Sequence, residues 1–239
     1  MSLPIQFDTT WKNIAISQSG GADSALLTYL LCDNILTNNS ATVVHIINNI
    51  RCWKTRPWQQ QNSLDVHNWI MKKFPTITFK RHINFVPPEL EWGDKGRTLI
   101  DEYGKLVSGD TLELRAFAEY VCHTFNVDAY FNAVTRNPRD AAFAGLSNRD
   151  IEPTDDNKHL EEIEHMGVLA CHPFRFIEKS EVLRKYRELD LMELFDISRS
   201  CEGEFENINY KTYIPGQFVP ICGECFWCKE REWALNESK

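Results

Sequence analysis

At 239 residues, 43% hydrophobic and 25% charged, the chain has the size and composition of a soluble α/β domain with a small appendage. Its formal charge of −8 argues against broad, charge-driven nucleic-acid binding and leaves only a local basic pocket open. No apolar run reaches membrane-spanning length, and the opening Met1-Ser2-Leu3-Pro4-Ile5-Gln6 lacks a basic-then-apolar signal pattern, so a cytoplasmic protein without membrane contact is expected.

Residues 1–12 read as an irregular lead-in. The first strand is expected at about Asn13–Ser17, followed by a glycine turn and a helix to about Asn34. The turn is Ser19-Gly20-Gly21-Ala22-Asp23-Ser24. Backbone N–H groups in such a turn, leading into a helix N-terminus, form a concave site for an anion. Gly20 and Gly21 let the main chain approach phosphate oxygens closely. Ser19 and Ser24 add hydroxyl donors, and the Asp23 carboxylate suits Mg²⁺. No lysine follows the glycines, so this is not the phosphate loop of kinases and GTPases.

Thr37-Asn38-Asn39-Ser40 is a turn, and the apolar run Thr42–Ile47 is a strand buried on both faces. The loop after it contains Trp53 and Trp58, expected to pack against the sheet. Val66, Trp69, Ile70 and Phe74 mark one helix face over 58–73, and Ile77, Phe79 and Ile83 mark a third strand. Residues 84–109, rich in glycine and proline, read as a long loop, either a lid or an insertion. Leu114, Phe117, Val121 and Phe125 share a face of a helix over 110–125. Val127–Thr135 is a fourth strand ending at Arg136-Asn137-Pro138-Arg139-Asp140. The acidic stretch 150–165 is a solvated surface, Val168–Cys171 a fifth strand, and Ser180 the cap of a helix reaching about Leu194.

Alternating strands and helices predict a doubly wound, parallel, five-stranded sheet. Ligands of such sheets bind at the carboxyl ends of the strands, where residues 19–24, 48–51, 136–140 and 172–179 can converge.

Four of the eight cysteines are scattered, whereas Cys201, Cys222, Cys225 and Cys228 crowd the C-terminal end. In a reducing compartment this density means metal rather than disulfides. Four thiolates close a structural Zn²⁺ site, and Cys-x₂-Cys-x₂-Cys also occurs around [4Fe–4S] clusters; zinc is the first expectation and iron–sulfur the second.

The Ser-Gly-Gly-x-Asp-Ser loop resembles that of the PP-loop ATP pyrophosphatases. With Cys201 and Cys222-Gly223-Glu224-Cys225-Phe226-Trp227-Cys228-Lys229-Glu230-Arg231, the chain resembles the 7-cyano-7-deazaguanine synthase (QueC-like) family within them. Phe174…Lys179-Ser180-Glu181 resembles the family's Lys-x-Glu element, making Lys179 a candidate phosphate contact. The middle departs from the pattern: Asn48-Asn49-Ile50-Arg51 and Arg136–Asp140 stand where the family has its base-recognising segments.

The resemblance implies an adenine nucleotide alpha hydrolase (HUP) fold over 1–196 with a zinc module over 197–239. It further implies an ATP-, Mg²⁺- and Zn²⁺-dependent ligase. Such an enzyme adenylates a small-molecule carboxylate, 7-carboxy-7-deazaguanine or a relative, and couples it to ammonia. Amide or nitrile forms with release of AMP and pyrophosphate. Ser19, Gly20, Gly21, Ala22, Asp23, Ser24 and Lys179 would bind the nucleotide, with Asp23, Lys179 and Arg136 acting on the reacting groups. Another adenylating enzyme of the same fold, including one that thiolates a nucleic-acid base, and a non-catalytic nucleotide-binding protein are the alternatives. A homodimer is left open.

Overall fold

The computed structural model describes residues 5–51, 56, 58–87, 98–100, 106–143, 160–163, 168–203 and 221–238. Its strands are β1 (Asn13–Ser17), β2 (Val43–Ile50), β3 (Phe79–Phe85), β4 (Thr98–Ile100), β5 (Leu106–Ser108), β6 (Ala129–Phe131), β7 (Leu160–Ile163) and β8 (Val168–Cys171). Its helices are α1 (Ala22–Thr37), α2 (Gln59–Lys73), α3 (Gly109–Thr124), α4 (Lys179–Glu188), α5 (Met192–Ile197) and α6 (Phe226–Glu237). Among the described residues no helix is long and apolar enough to cross a membrane.

The main sheet has the order β3-β2-β1-β6-β8-β7. Its first five strands are mutually parallel, as the alternating pattern predicts, and β7 adds an antiparallel edge against β8. The chain moves outward from β1 to β3 and then returns to place β6 on the other side of β1. That reversal opens a crevice at the carboxyl ends of β1 and β6, where the glycine loop begins.

Strand periodicity sends side chains to two apolar layers. Ile14, Ile16 and Ile46 join a large cluster with residues of α1, α2, α4, α5 and α6. Ala15 and Ile47 point the other way, into a smaller cluster with Ala118, Val121 and Cys122 of α3. The central strands are covered on both faces, which is why they read as continuous apolar runs.

Several expected elements differ in detail. The stretch 84–109 contains an antiparallel hairpin, β4 with β5, and residues 88–97 and 101–105 lie outside the described set, as does Trp53. The fourth parallel strand is β6, three residues rather than nine, because the chain leaves the sheet at Asn132. Leu160–Ile163 of the acidic stretch forms the β7 edge, while 150–159 lie outside the described residues. Ile83 of β3 is exposed, since the far end of that strand has no covering helix among the described residues. The single helix expected up to Leu194 is two: the chain breaks at Asp190, which takes a φ of 54°, and resumes as α5. Its cap is Glu178 rather than Ser180. The Glu178 side chain accepts from the backbone of Glu181, and the Glu181 side chain accepts from the Glu178 N–H, a reciprocal capping box worth about 1 kcal/mol.

Two buried histidines make the fold acid-sensitive. His45 stacks on His82 with rings 5.2 Å apart, and its Nδ1 lies 3.0 Å from His82 Nε2. Burial, then the charges of His82 and Lys80, push His45 down from 6.5 to about 4. Burial and then Arg81 push His67 down to about 4. Both histidines fold as neutral rings, so their stabilisation is complete above about pH 6.5 and is lost as pH falls towards 4. The denaturant midpoint should therefore drop between about pH 7 and pH 4.5, and His45→Gln should flatten that drop. A midpoint that stays level over this range would contradict the assignment.

Candidate functional site

Ser17 ends β1 and the chain turns through Ser19–Ser24 into α1. Gly20 has a φ of 85°, a left-handed conformation that glycine adopts without strain. A Cβ there would also stand 2.4 Å from Asn62 Oδ1, so α2 crosses the loop too closely for a side chain. Gly21 caps α1 with extended backbone and no side-chain hydrogen bond, so the first-turn N–H groups remain available to the crevice. The loop is braced from within. Gly21 N donates to Ser19 Oγ at 3.2 Å, and Ser24 Oγ donates to Gly21 O at 3.1 Å. It is braced from outside by Arg199 N, which donates to Gly20 O at 2.9 Å.

Asp23, in the first turn of α1, meets Lys179, the first residue of α4, in an ion pair. The 156-residue separation is closed by the sheet, which sets α1 and α4 side by side. Lys179 is 3% exposed, and its Nζ also lies 3.8 Å from Glu230 Oε2 on α6. Asp23 Oδ1 is buried and has no hydrogen-bond partner among the described residues. A carboxylate with one oxygen on a cation and the other idle has the donor set for a hard metal ion. Tyr186, one helical face along from Lys179, donates to Ala22 O at 2.6 Å. Burial, reinforced by the Asp23 charge, holds its hydroxyl well above the usual 10.0, so it stays a donor.

Beside the loop, polar groups line the strand ends. Asn48 Nδ2 donates to Gln18 O at 2.5 Å, and Arg81 Nε donates to Asn48 Oδ1 at 2.5 Å. Gln18 is 1% exposed, and its Nε2 has no hydrogen-bond partner among the described residues. A buried donor left idle beside the uncapped start of α1 is a place for a ligand acceptor.

Cys201, Cys222, Cys225 and Cys228 come together, their four sulfurs all within 4.8 Å of one another. Cys222 Sγ and Cys228 Sγ are 3.8 Å apart. One tetrahedral ion with metal–sulfur bonds of about 2.3 Å requires sulfurs about 3.8 Å apart, so the cluster can hold a single metal ion. The Cys225 thiol and then the Cys222 N–H stabilise the Cys201 thiolate, drawing it down to about 4 against opposing burial. Trp58 packs on Cys201 and Cys228 rather than on the sheet, and the Arg199 guanidinium lies 4.9 Å above its ring. Residues 199–201 thus touch the loop at one end and the cysteines at the other.

Arg136, beyond the end of β6, donates its backbone N–H to Ile177 O at 3.0 Å. It lines a polar cleft of about 420 Å³ with Arg139, Phe176, Glu181, Arg184 and Trp233, and residues 19–24 are absent from that lining. Sequence reasoning missed Glu230 and Tyr186. Tyr186 follows Lys179 by seven residues, two helical turns on the same face, so helical spacing was the available signal for it; Glu230, two residues after Cys228, shares no face with it and had no such signal.

No protein-family model matches the chain, and no curated protein matches it. Among solved structures, its path is similar to that of the U34-tRNA thiolase NcsA from Methanococcus maripaludis with its [4Fe-4S] cluster. Identity there is 15% and the TM-score 0.47, over 84% of this chain and 62% of that one. It is also similar to phosphoadenylyl-sulfate reductase from Candida auris in its phosphate complex, at 14% identity and a TM-score of 0.42, over 83% of this chain and 84% of the other. The chain spans less than two thirds of the thiolase's length. The chemistry of the site rests on its own residues.

Gly20→Ala should destabilise the protein by at least about 1–2 kcal/mol, the cost of a side chain in left-handed backbone, with the Asn62 overlap added. Chemical denaturation measures this. A variant as stable as wild type would mean that the loop is free to adopt another path.

Proposed function

We propose that the chain is a PP-loop ATP pyrophosphatase that adenylates its substrate. The observation that carries this reading is the meeting of an uncapped α1 N-terminus, the Ser19–Ser24 turn and the Asp23–Lys179 pair at the carboxyl end of β1. Pyrophosphate oxygens would lie against the loop N–H groups and the Ser19 and Ser24 hydroxyls. Asp23, through its idle Oδ1, would hold Mg²⁺, and Lys179 would neutralise charge that builds on the phosphates as the α–β bond breaks. This arrangement would position and neutralise a polyphosphate, and among the described residues none is placed to attack it. In this reading the nucleophile is a group of the substrate.

The resemblance favours a carboxylate as that nucleophile, on a 7-deazaguanine-like base, with ammonia displacing AMP. Asn48 and Asn49 near the carboxyl end of β2, with Arg81 bonded to Asn48, are the candidates for a polar ring edge. Arg136, whose cleft is also lined by Glu178 and Ser180 on either side of Lys179, is the further candidate for an anionic group of the substrate. The sulfur spacing supports one Zn²⁺ held by Cys201, Cys222, Cys225 and Cys228, a closed structural site that stabilises the C-terminal tail. A [4Fe–4S] cluster would favour the alternative, thiolation of a nucleic-acid base.

Purified protein given ATP, Mg²⁺, ammonia and 7-carboxy-7-deazaguanine should release AMP and pyrophosphate, with an amide or nitrile found by mass spectrometry. Asp23→Asn should lower the rate by at least about 100-fold. ADP and phosphate as main products would overturn the pyrophosphatase reading. AMP release with another carboxylate only would remove the deazaguanine substrate.

Elemental analysis should find about one zinc per chain, and Cys225→Ser should lose it together with thermal stability. A brown protein with several irons per chain would replace zinc by an iron–sulfur cluster and shift the reading to thiolation.

A further inference from the structure

Two asparagines near the carboxyl end of β2 face opposite ways and differ in what they leave open. Asn48, on the α2 side, already bonds Gln18 O, Gln18 Oε1 and Arg81 Nε. Asn49 is 6% exposed and shares the α3 side of the strand with Ile47. It stands in register with Asn84 of β3, and Glu113 of α3 completes a row of three. Asn84 Nδ2 donates to Asn49 Oδ1 at 3.1 Å and to Glu113 Oε1 at 3.3 Å. The direction of each bond is fixed from the acidic end. A carboxylate only accepts, so Asn84 must present its NH₂ group to Glu113. The second hydrogen of that group goes to Asn49, which must therefore present its carbonyl oxygen. Three polar atoms of the row then bond nothing else among the described residues: Asn49 Nδ2, Asn84 Oδ1 and Glu113 Oε2. In order along the row they are a donor, an acceptor and an acceptor.

Guanine carries the complement on its Watson–Crick edge: the O6 acceptor, the N1–H donor and the 2-amino donor. A 7-deaza ring changes position 7 alone and keeps that edge. We propose that Asn49, Asn84 and Glu113 form a specificity subsite for a guanine-type ring, with O6 on Asn49, N1–H on Asn84 and the 2-amino group on Glu113. The row stands one strand over from β1, towards the carboxyl ends of the sheet where loop 19–24 begins. From the proposed function it takes only that a ring-bearing substrate enters this crevice. The bond to Glu113 carries most of the discrimination, because a hydrogen bond to a charged acceptor is the stronger kind. A hypoxanthine-type ring has no 2-amino group and leaves Glu113 Oε2 idle.

The test is equilibrium binding of 7-deazaguanine and 7-deazahypoxanthine to the full-length, metal-loaded protein, with and without Mg²⁺ and ATP. Neither ring carries a carboxylate, so neither is consumed. The wild-type protein should bind 7-deazaguanine at least about tenfold more tightly than 7-deazahypoxanthine. Glu113→Gln should weaken 7-deazaguanine by about tenfold and leave 7-deazahypoxanthine within about twofold, which erases the preference. Its ATP affinity should stay at the wild-type value, since Glu113 lies outside residues 19–24. Equal binding of the two rings by the wild-type protein, or an unchanged preference in Glu113→Gln, overturns the proposal. Binding of ATP but of neither ring overturns it and spares the ATP site. A preference for 7-deazaguanine in a protein that binds no ATP keeps the subsite and overturns the proposed function. Absence of all binding overturns both.

Discussion

Lys179 Nζ lies between the carboxylates of Asp23 and Glu230, and each of the three residues comes from a different helix of the fold. Asp23 sits in the first turn of α1, Lys179 opens α4, and Glu230 lies in α6. An ammonium this deeply buried is tolerable only while paired, and removing a partner from such a group costs several kcal/mol, on the order of 3–5. The pairing therefore constrains where all three helices end. It sets the start of α1, which aims the loop. It also sets the roll of α6, which places Cys228 under Trp58.

The sheet supplies the platform for this junction. Parallel strands point their carboxyl ends the same way, and the reversal of strand order beside β1 leaves those ends uncovered. Loop 19–24, the Gln18–Asn48–Arg81 chain and the Asp23–Lys179 pair are three consequences of that geometry. The C-terminal segment closes the arrangement from the other side. Arg199 N holds Gly20 O, Ser200 Oγ lies 2.8 Å from where a Gly21 Cβ would stand, and Cys201 follows at once. The cysteine cluster and the glycine loop are thus joined through two residues of backbone. Ala234 of α6 belongs to the same apolar cluster as Ile14 and Leu26, which anchors the tail in the main core.

Much of this was legible in the sequence for identifiable reasons. Buried parallel strands such as Ile14-Ala15-Ile16 and Val168–Cys171 announce themselves as short apolar runs, because both faces are covered. The Ser-Gly-Gly turn is legible because a left-handed φ and a close crossing by α2 both require glycine at position 20. The four cysteines are legible by spacing. The surroundings of Arg136 were not legible, because the sequence shows that an arginine follows a strand and not which cleft it lines. The split between α4 and α5 was hidden because Asp190 is no strong breaker on its own. Glu230 was hidden for a different reason. A glutamate between lysine and arginine on a polar-looking helix reads as solvent-exposed, and only the packing of α6 on α4 buries it.

The central claim is that residues 19–24 hold the phosphates of a Mg²⁺-nucleotide with Asp23 on the metal. A crystal structure with Mg²⁺ and a non-hydrolysable ATP analogue tests it most directly. The account predicts phosphate density against the α1 N-terminus, Mg²⁺ on Asp23, and Lys179 released from Asp23. Nucleotide bound in the Arg136 cleft, with the glycine loop empty and the Asp23–Lys179 pair intact, would contradict it.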